Sequence, residues 1–143
     1  KRIAIWGWAF KKDTNDSRES AAIYVCRDLL RERARLHIYD PQVQKEQILA
    51  DLELAMSADT GVVSQADRQL LENNVSVEKD CYATANEAHA VVVLTEWDEF
   101  KTVDYAKIYT SMLKPAFLFD GRNILDRRAL PKLGFEFHAI GMS

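Results

Sequence analysis

Short apolar runs and longer amphipathic stretches alternate along the 143 residues of the chain. Ile3-Ala4-Ile5-Trp6 predicts a first strand ending at Gly7. Over residues 19–33, Ala22, Cys26, Leu29 and Leu30 recur on one face at the 3.6-residue period, which predicts a helix with Asp16 or Ser17 as its N-cap. Leu36-His37-Ile38-Tyr39 predicts a second strand, closed by the turn pair Asp40-Pro41. Residues 42–74 read as helical around Ile48, Leu49 and Leu52, polar across 57–65, and helical again at Leu70-Leu71. A short strand at 75–77 and a helix at 83–88 follow. Residues 90–94 are apolar throughout, as in a strand buried on both faces. Helix at 104–112, strand at 116–119, helix at 126–133 and strand at 135–140 complete the pattern.

Strands that alternate with helices favour parallel pairing through right-handed crossovers, so the expected fold is α/β. It is a doubly wound, mainly parallel six-stranded Rossmann-like sheet with helices on both faces, in one domain over residues 1–143. Such sheets bind ligands beyond the carboxyl ends of their strands, where strand order reverses. Three polar clusters follow strands: Phe10-Lys11-Lys12, Thr95-Glu96-Trp97-Asp98 and Asp120-Gly121-Arg122-Asn123. In the order 3-2-1-4-5-6 the three strands are neighbours, and the clusters converge on one edge.

Composition narrows the function. A net charge of −3 gives no general attraction to nucleic acid or anionic membranes. No run approaches the ~18 apolar residues of a membrane span. Cys26 and Cys81 both fall in apolar helical surroundings and read as small buried hydrophobes, which favours a reducing, cytoplasmic setting. His37, His89 and His138 are scattered without metal-ligand spacing, and no catalytic constellation is visible. The chain enters its first strand directly after Lys1-Arg2, as expected of a piece of a longer protein.

The turn after the first strand, Gly7-Trp8-Ala9-Phe10-Lys11-Lys12, has one glycine where a dinucleotide fingerprint needs G-x-G-x-x-G. Trp8 and Phe10 fill space a pyrophosphate would need, so Asp40 reads as a turn residue capping the next helix rather than as a ribose ligand. Lys11-Lys12 are either solvated loop charges or a phosphate site, with Phe10 covering a flat uracil or ribose face. Arg18 runs against the expected helix dipole, which an anionic ligand or a salt bridge to Asp16 or Glu19 explains equally well. Arg122 offers a fork for a phosphate or sugar hydroxyl, or pairs with Asp120. Trp97 reads as helix-to-sheet packing ahead of pocket lining.

The run from Ala4-Ile5-Trp6-Gly7 through Phe10-Lys11-Lys12-Asp13-Thr14-Asn15-Asp16-Ser17-Arg18-Glu19-Ser20 resembles the opening of the UDP-binding domain of UDP-glucose 6-dehydrogenases, in the UDP-glucose/GDP-mannose dehydrogenase family. Ile38-Tyr39-Asp40-Pro41, Leu94-Thr95-Glu96-Trp97-Asp98-Glu99-Phe100, Lys114-Pro115-Ala116-Phe117 and Phe119-Asp120-Gly121-Arg122-Asn123-Ile124-Leu125-Asp126 follow in the same order. The resemblance implies a C-terminal domain of an enzyme that oxidises UDP-glucose to UDP-glucuronate with two NAD, the catalytic cysteine, lysine and acid lying in N-terminal and central domains. It implies that Phe10, Lys11 and Arg122 contact the UDP-sugar and that Arg18 reaches the NAD held mainly by the N-terminal domain. It further implies a homo-oligomer, and no catalytic residue or metal within this chain.

Three positions depart from the pattern. Asn15 stands where a glycine is usual, and asparagine tolerates the left-handed conformation. Trp6 and Trp8 are larger than their counterparts and are expected near the pocket mouth. Two other classes remain open: a nucleotide-sensing module, expected to bind NAD, and an assembly module using Arg27, Arg31 and Arg35 and the polar stretch at 57–65.

Overall fold

The structure is a computed structural model and describes residues 1–139. In chain order its elements are β1 (Arg2–Trp6), α1 (Ala21–Arg31), β2 (Arg35–Tyr39), α2 (Lys45–Ser57), α3 (Gln65–Asn73) and β3 (Val75–Val77). There follow α4 (Cys81–Ala85), β4 (Ala90–Val93), a 3-10 turn (Asp98–Lys101), α5 (Tyr105–Ser111), β5 (Phe117–Asp120), α6 (Ala129–Leu133) and β6 (Glu136–Ala139). The strands form one all-parallel sheet in the order β3-β2-β1-β4-β5-β6. Order reverses between β1 and β4, as expected of the doubly wound class. The predicted sixth strand reached residue 140, which lies outside the described residues.

Alternation along β1 assigns the two layers. Ile5 faces the α1–α3 side, while Trp6 points to the α4–α5 side, where its indole donates to Thr84 at 2.8 Å and packs 5.7 Å from Phe100 and 5.9 Å from Tyr105. Trp8 is also fully buried, with its indole donating to Asp51 of α2 at 2.9 Å. Both indoles are core, which corrects their expected place at a pocket mouth. A buried indole N–H without an acceptor is costly, and Thr84 and Asp51 satisfy the two.

The start of α1 is also corrected. Ser20, not Asp16 or Ser17, is the N-cap, its hydroxyl accepting from the Ala22 amide. Glu19 just before it has φ 58°, so the chain turns sharply there and residue 19 is not helical. At the other end, Arg33 N–H donates to the Leu30 carbonyl and Ala34 N–H to Leu29, a Schellman closure with Arg33 itself in the left-handed region at φ 68°.

Gly7 ends β1 with φ 103°, and a Cβ there would lie 2.4 Å from Thr95 Oγ1 and 2.6 Å from the Thr95 backbone nitrogen. Conformation and space therefore both demand glycine. Gly7→Ala is expected to cost about 2–6 kcal/mol, combining left-handed strain with overpacking. Urea unfolding checks this: the midpoint falls at unchanged slope, and an unchanged midpoint would mean that the loop relaxes without penalty.

Candidate UDP-sugar site

Three buried polar side chains at strand ends fix the loops on the carboxyl edge of the sheet. Asp40, following β2, is buried, and its Oδ2 accepts from Trp8 N at 2.6 Å, Ala9 N at 3.0 Å and the Trp97 indole at 3.1 Å. Its Oδ1 accepts from Gln42 N at 2.8 Å and Val43 N at 2.9 Å. Asp40 is thus a turn residue, as expected, but it does not cap α2, which starts after Gln44. It braces the β1 loop instead. Thr95, after β4, donates its hydroxyl to the Ala9 carbonyl at 2.7 Å. Asp120, ending β5, accepts from the backbone of Arg122 at 3.1 Å and from Ile124 and Leu125 at 2.8 Å each.

These anchors hold the side chains singled out by sequence. Phe10 N–H closes the β1 loop on the Asp16 carbonyl, leaving the Phe10 ring exposed with Lys11 Nζ 5.5 Å from its centroid. Lys11 has no ion pair among the described residues, whereas Lys12 pairs with Asp98 at 3.4 Å across the β1–β4 crevice. Arg122 does not pair with the Asp120 carboxylate through its side chain. Its Nη2 meets Glu96 Oε2 at 3.1 Å, a link between the β4 and β5 loops. Trp97 is packing, as expected, and also an Asp40 donor. The three clusters do converge on one edge. A cleft of about 470 Å³ opens to one side, beyond β2 and β3, between Pro41, Lys45, Glu78 and Lys79; Phe10, Lys11 and Arg122 do not line it.

Arg18 lies outside α1, two residues ahead of its N-cap Ser20, and its cation is answered by Asp16. Its guanidinium takes Asp16 through Nε at 3.0 Å and Nη2 at 2.7 Å, and the side chain is otherwise exposed. These bonds, with the Arg18 amide, hold the Asp16 carboxyl down at about 2. Asn15 does not take the left-handed conformation; Asp13 does, at φ 63°.

The β1 turn does not fit NAD. The amides of Trp8 and Ala9, which a pyrophosphate would have to meet, are already donated to Asp40. Burial pushes both thiols, Cys26 and Cys81, well above their ordinary range, so neither has the character of a nucleophile. No group of three or more His, Cys, Asp or Glu able to hold a metal ion occurs among the described residues.

Residues 4–127 match the family model described as UDP-glucose/GDP-mannose dehydrogenase family, UDP binding domain. The chain belongs to this family. It is 51% identical over 143 residues to UDP-glucose 6-dehydrogenase of Caenorhabditis elegans, covering all of this chain and 28% of that protein. It is 50% identical over 142 residues to UDP-glucose 6-dehydrogenase 1 of Glycine max, covering 99% of this chain and 30% of that protein. The chain therefore spans less than a third of the curated relatives it matches. Among solved structures, a UDP-D-ManNAc dehydrogenase from Pyrococcus horikoshii superposes with TM-score 0.66 at 26% identity, over 98% of this chain and 25% of that one. An NDP-N-acetyl-D-galactosaminuronic acid dehydrogenase from Methanosarcina mazei gives 0.71 at 23% identity, over all of this chain and 25% of that one, a likeness of fold.

Within this UDP-binding domain, sequence reasoning missed the anchoring work of Asp40, Thr95 and Asp120 and the Glu96–Arg122 pair. One signal was available: an aspartate closing a strand and followed by a turn, at Asp40-Pro41 and again at Asp120-Gly121.

Asp40→Ala strands four buried N–H donors, those of Trp8, Ala9, Val43 and the Trp97 indole, at about 1–3 kcal/mol each, so stability should fall by at least ~4 kcal/mol in urea; Asp40→Asn should lose part of that. A loss under ~1 kcal/mol would assign the loop's order elsewhere. For Asp16, a depressed carboxylate stabilises the fold above its unfolded value near 3.8 and loses that contribution as pH falls through about 2. Carboxyl-carbon NMR should give a midpoint near pH 2, rising in Arg18→Ala towards 3.8 without reaching it, because the backbone bond stays. A midpoint indifferent to Arg18 would break the pairing.

Proposed function

We propose that this chain is the UDP-sugar-binding domain, residues 1–143, of a longer UDP-glucose 6-dehydrogenase. In that enzyme the C6 hydroxyl of UDP-glucose is oxidised to the carboxylate of UDP-glucuronate with two NAD. The observation that carries the reading is a pair of cationic side chains on one sheet edge. Among the described residues Lys11 has no ion pair and Arg122 is held from one side only; Phe10, next to Lys11, donates its N–H to the Asp16 carbonyl, and the Arg122 amide donates to the buried Asp120. Phosphate needs charge and a defined position, and a uracil or ribose face needs a flat apolar surface such as the exposed Phe10 ring.

On this reading Phe10, Lys11 and Arg122 hold the UDP-sugar, and no residue of this chain performs the oxidation. NAD supplies the hydride acceptor when bound to another part of the polypeptide. Arg18, exposed and steadied by Asp16, is the residue of this chain assigned to reach it. The buried, unpaired thiols agree with this division and with a cytoplasmic setting. No helix of the described residues is long and apolar enough to cross a membrane. The working partners are the N-terminal and central domains and further copies of the same protein. Of the arginines considered for assembly, Arg27 is engaged by Asp28 and Arg31 by Asp67.

Calorimetric titration of the chain with UDP, UDP-glucose and NAD in parallel tests the proposal. UDP and UDP-glucose should bind, and NAD should not. Preference for NAD would favour a sensor, and silence from all three would overturn binding by this chain alone. Arg122→Ala removes a charge-assisted hydrogen bond of about 1.5–3 kcal/mol and should weaken UDP-glucose by roughly 10- to 150-fold. Unchanged affinity in a folded variant removes Arg122 from the site.

A further inference from the structure

Glu96 is an acid beside the cation that the proposed function assigns to an anionic ligand. On Coulomb terms alone its charge works against that ligand. Its surroundings suggest a compensating role. The residues on either side of it are tied down: Thr95 by its hydroxyl to the Ala9 carbonyl at 2.7 Å, and Trp97 by its indole to Asp40 at 3.1 Å. Glu96 therefore starts from a fixed backbone. Arg122 does too, with its amide on Asp120 at 3.1 Å and Gly121 N–H on the Val93 carbonyl at 2.9 Å.

Between these two fixed points the contact is made at one atom each. Arg122 Nη2 meets Glu96 Oε2 at 3.1 Å, and among the described residues Arg122 Nε and Nη1 have no hydrogen-bond partner. The second carboxylate oxygen, Oε1, is buried without any donor. Arginine–carboxylate pairs frequently use the whole fork, two donors to two oxygens. Here the fork is gripped at one corner, and its remaining donors are left over. A long side chain held this way has already lost rotamer freedom that a ligand would otherwise have to freeze, typically about 0.5–1.5 kcal/mol.

We propose that Glu96 is a positioning residue: it grips Arg122 by Nη2 so that Nε and Nη1 are presented to a phosphate or sugar hydroxyl of the ligand. The proposal rests on the assignment of Arg122 to the UDP-sugar. It also links the loops in one sense: the β4 loop that orients Arg122 is the one that holds Ala9 beside Phe10 and Lys11.

Two substitutions separate grip from charge. Glu96→Asp keeps the charge and retracts the carboxylate by one methylene; Glu96→Gln keeps the reach and an acceptor oxygen and removes the charge. UDP-glucose affinity is measured by calorimetry for wild type, both variants, Arg122→Ala and Glu96→Asp/Arg122→Ala, with thermal midpoints in parallel. Positioning predicts that Glu96→Asp weakens binding by about 2- to 12-fold. It predicts that Glu96→Gln binds as tightly as wild type or more so, and that Glu96→Asp adds no loss once Arg122 is absent. Electrostatics alone predicts no loss in Glu96→Asp. A general structural role predicts the same loss with and without Arg122, tracking the thermal midpoint. Either result overturns the inference. If Arg122→Ala leaves affinity unchanged, or wild type does not bind, the assignment of Arg122 falls and this inference with it. If Arg122→Ala weakens binding and Glu96→Asp does not, only the role of Glu96 falls.

Discussion

One buried carboxylate, Asp40, takes five N–H donors from three stretches of chain, and the carboxyl edge of the sheet depends on it. At the end of a parallel strand the backbone must leave the sheet, and its amides need new acceptors. In a dinucleotide-binding turn a ligand pyrophosphate serves as acceptor. Here an internal anion occupies that role, supplied by the next strand. The consequence reaches beyond local order. With the amides of Trp8 and Ala9 satisfied from within, neither is free for a pyrophosphate, and on the proposed reading recognition passes to side chains, the Phe10 ring and the ammonium of Lys11 beyond it. The same carboxylate takes the Trp97 indole, so the β1 and β4 loops share one support.

The order of elements was legible because it rests on periodicity, which backbone geometry imposes. Six short apolar runs separated by amphipathic stretches leave few arrangements other than a doubly wound sheet. Element ends were less legible. Asp16 and Ser17 are good caps by residue type, yet Ser20 does the capping, because Asp16 is committed to Arg18 and Ser17 donates to Asp51. Asn15 looked like the residue for a left-handed turn, and Asp13 takes it instead. The two tryptophans show the limit of residue type most clearly. A bulky aromatic near a strand end suits a pocket wall or a core equally, and the choice was made by acceptors far away in sequence, Thr84 and Asp51.

Side chains at the candidate site divide in the same manner. Phe10, Lys11 and Arg122 could be named from sequence because each follows a strand and offers chemistry to a ligand. Their partners could not, since Glu96 meets Arg122 across 26 positions and Lys12 meets Asp98 across 86. Sequence left Arg122 between a ligand and Asp120. Asp120 is occupied by backbone amides, so the guanidinium turns to Glu96. Arg18 illustrates the reverse case. Sequence left it between an anionic ligand and a salt bridge to Asp16 or Glu19, and the structure pairs it with Asp16, ahead of α1.

The distribution of buried polarity bears on what such a domain contributes. On the carboxyl edge the buried side chains of Asp40, Thr95 and Asp120 are consumed in holding backbone, and the thiols are sealed in the core. Outward on the same edge stand a flat ring and two cations with spare donors, beside Lys12, Asp98 and Glu96. On the proposed reading, the ring and the two cations hold a phosphorylated ligand in a fixed pose. Positioning of this kind can still lower a reaction barrier elsewhere, because orientation lost by a substrate on binding is not lost again on reaction. For a chain spanning less than a third of its curated relatives, an edge whose loops are fixed by Asp40, Thr95 and Asp120 is what makes that proposed contribution transferable. A loop whose amides awaited the ligand would set its geometry only after binding, whereas one closed on Asp40 brings the same geometry to every encounter.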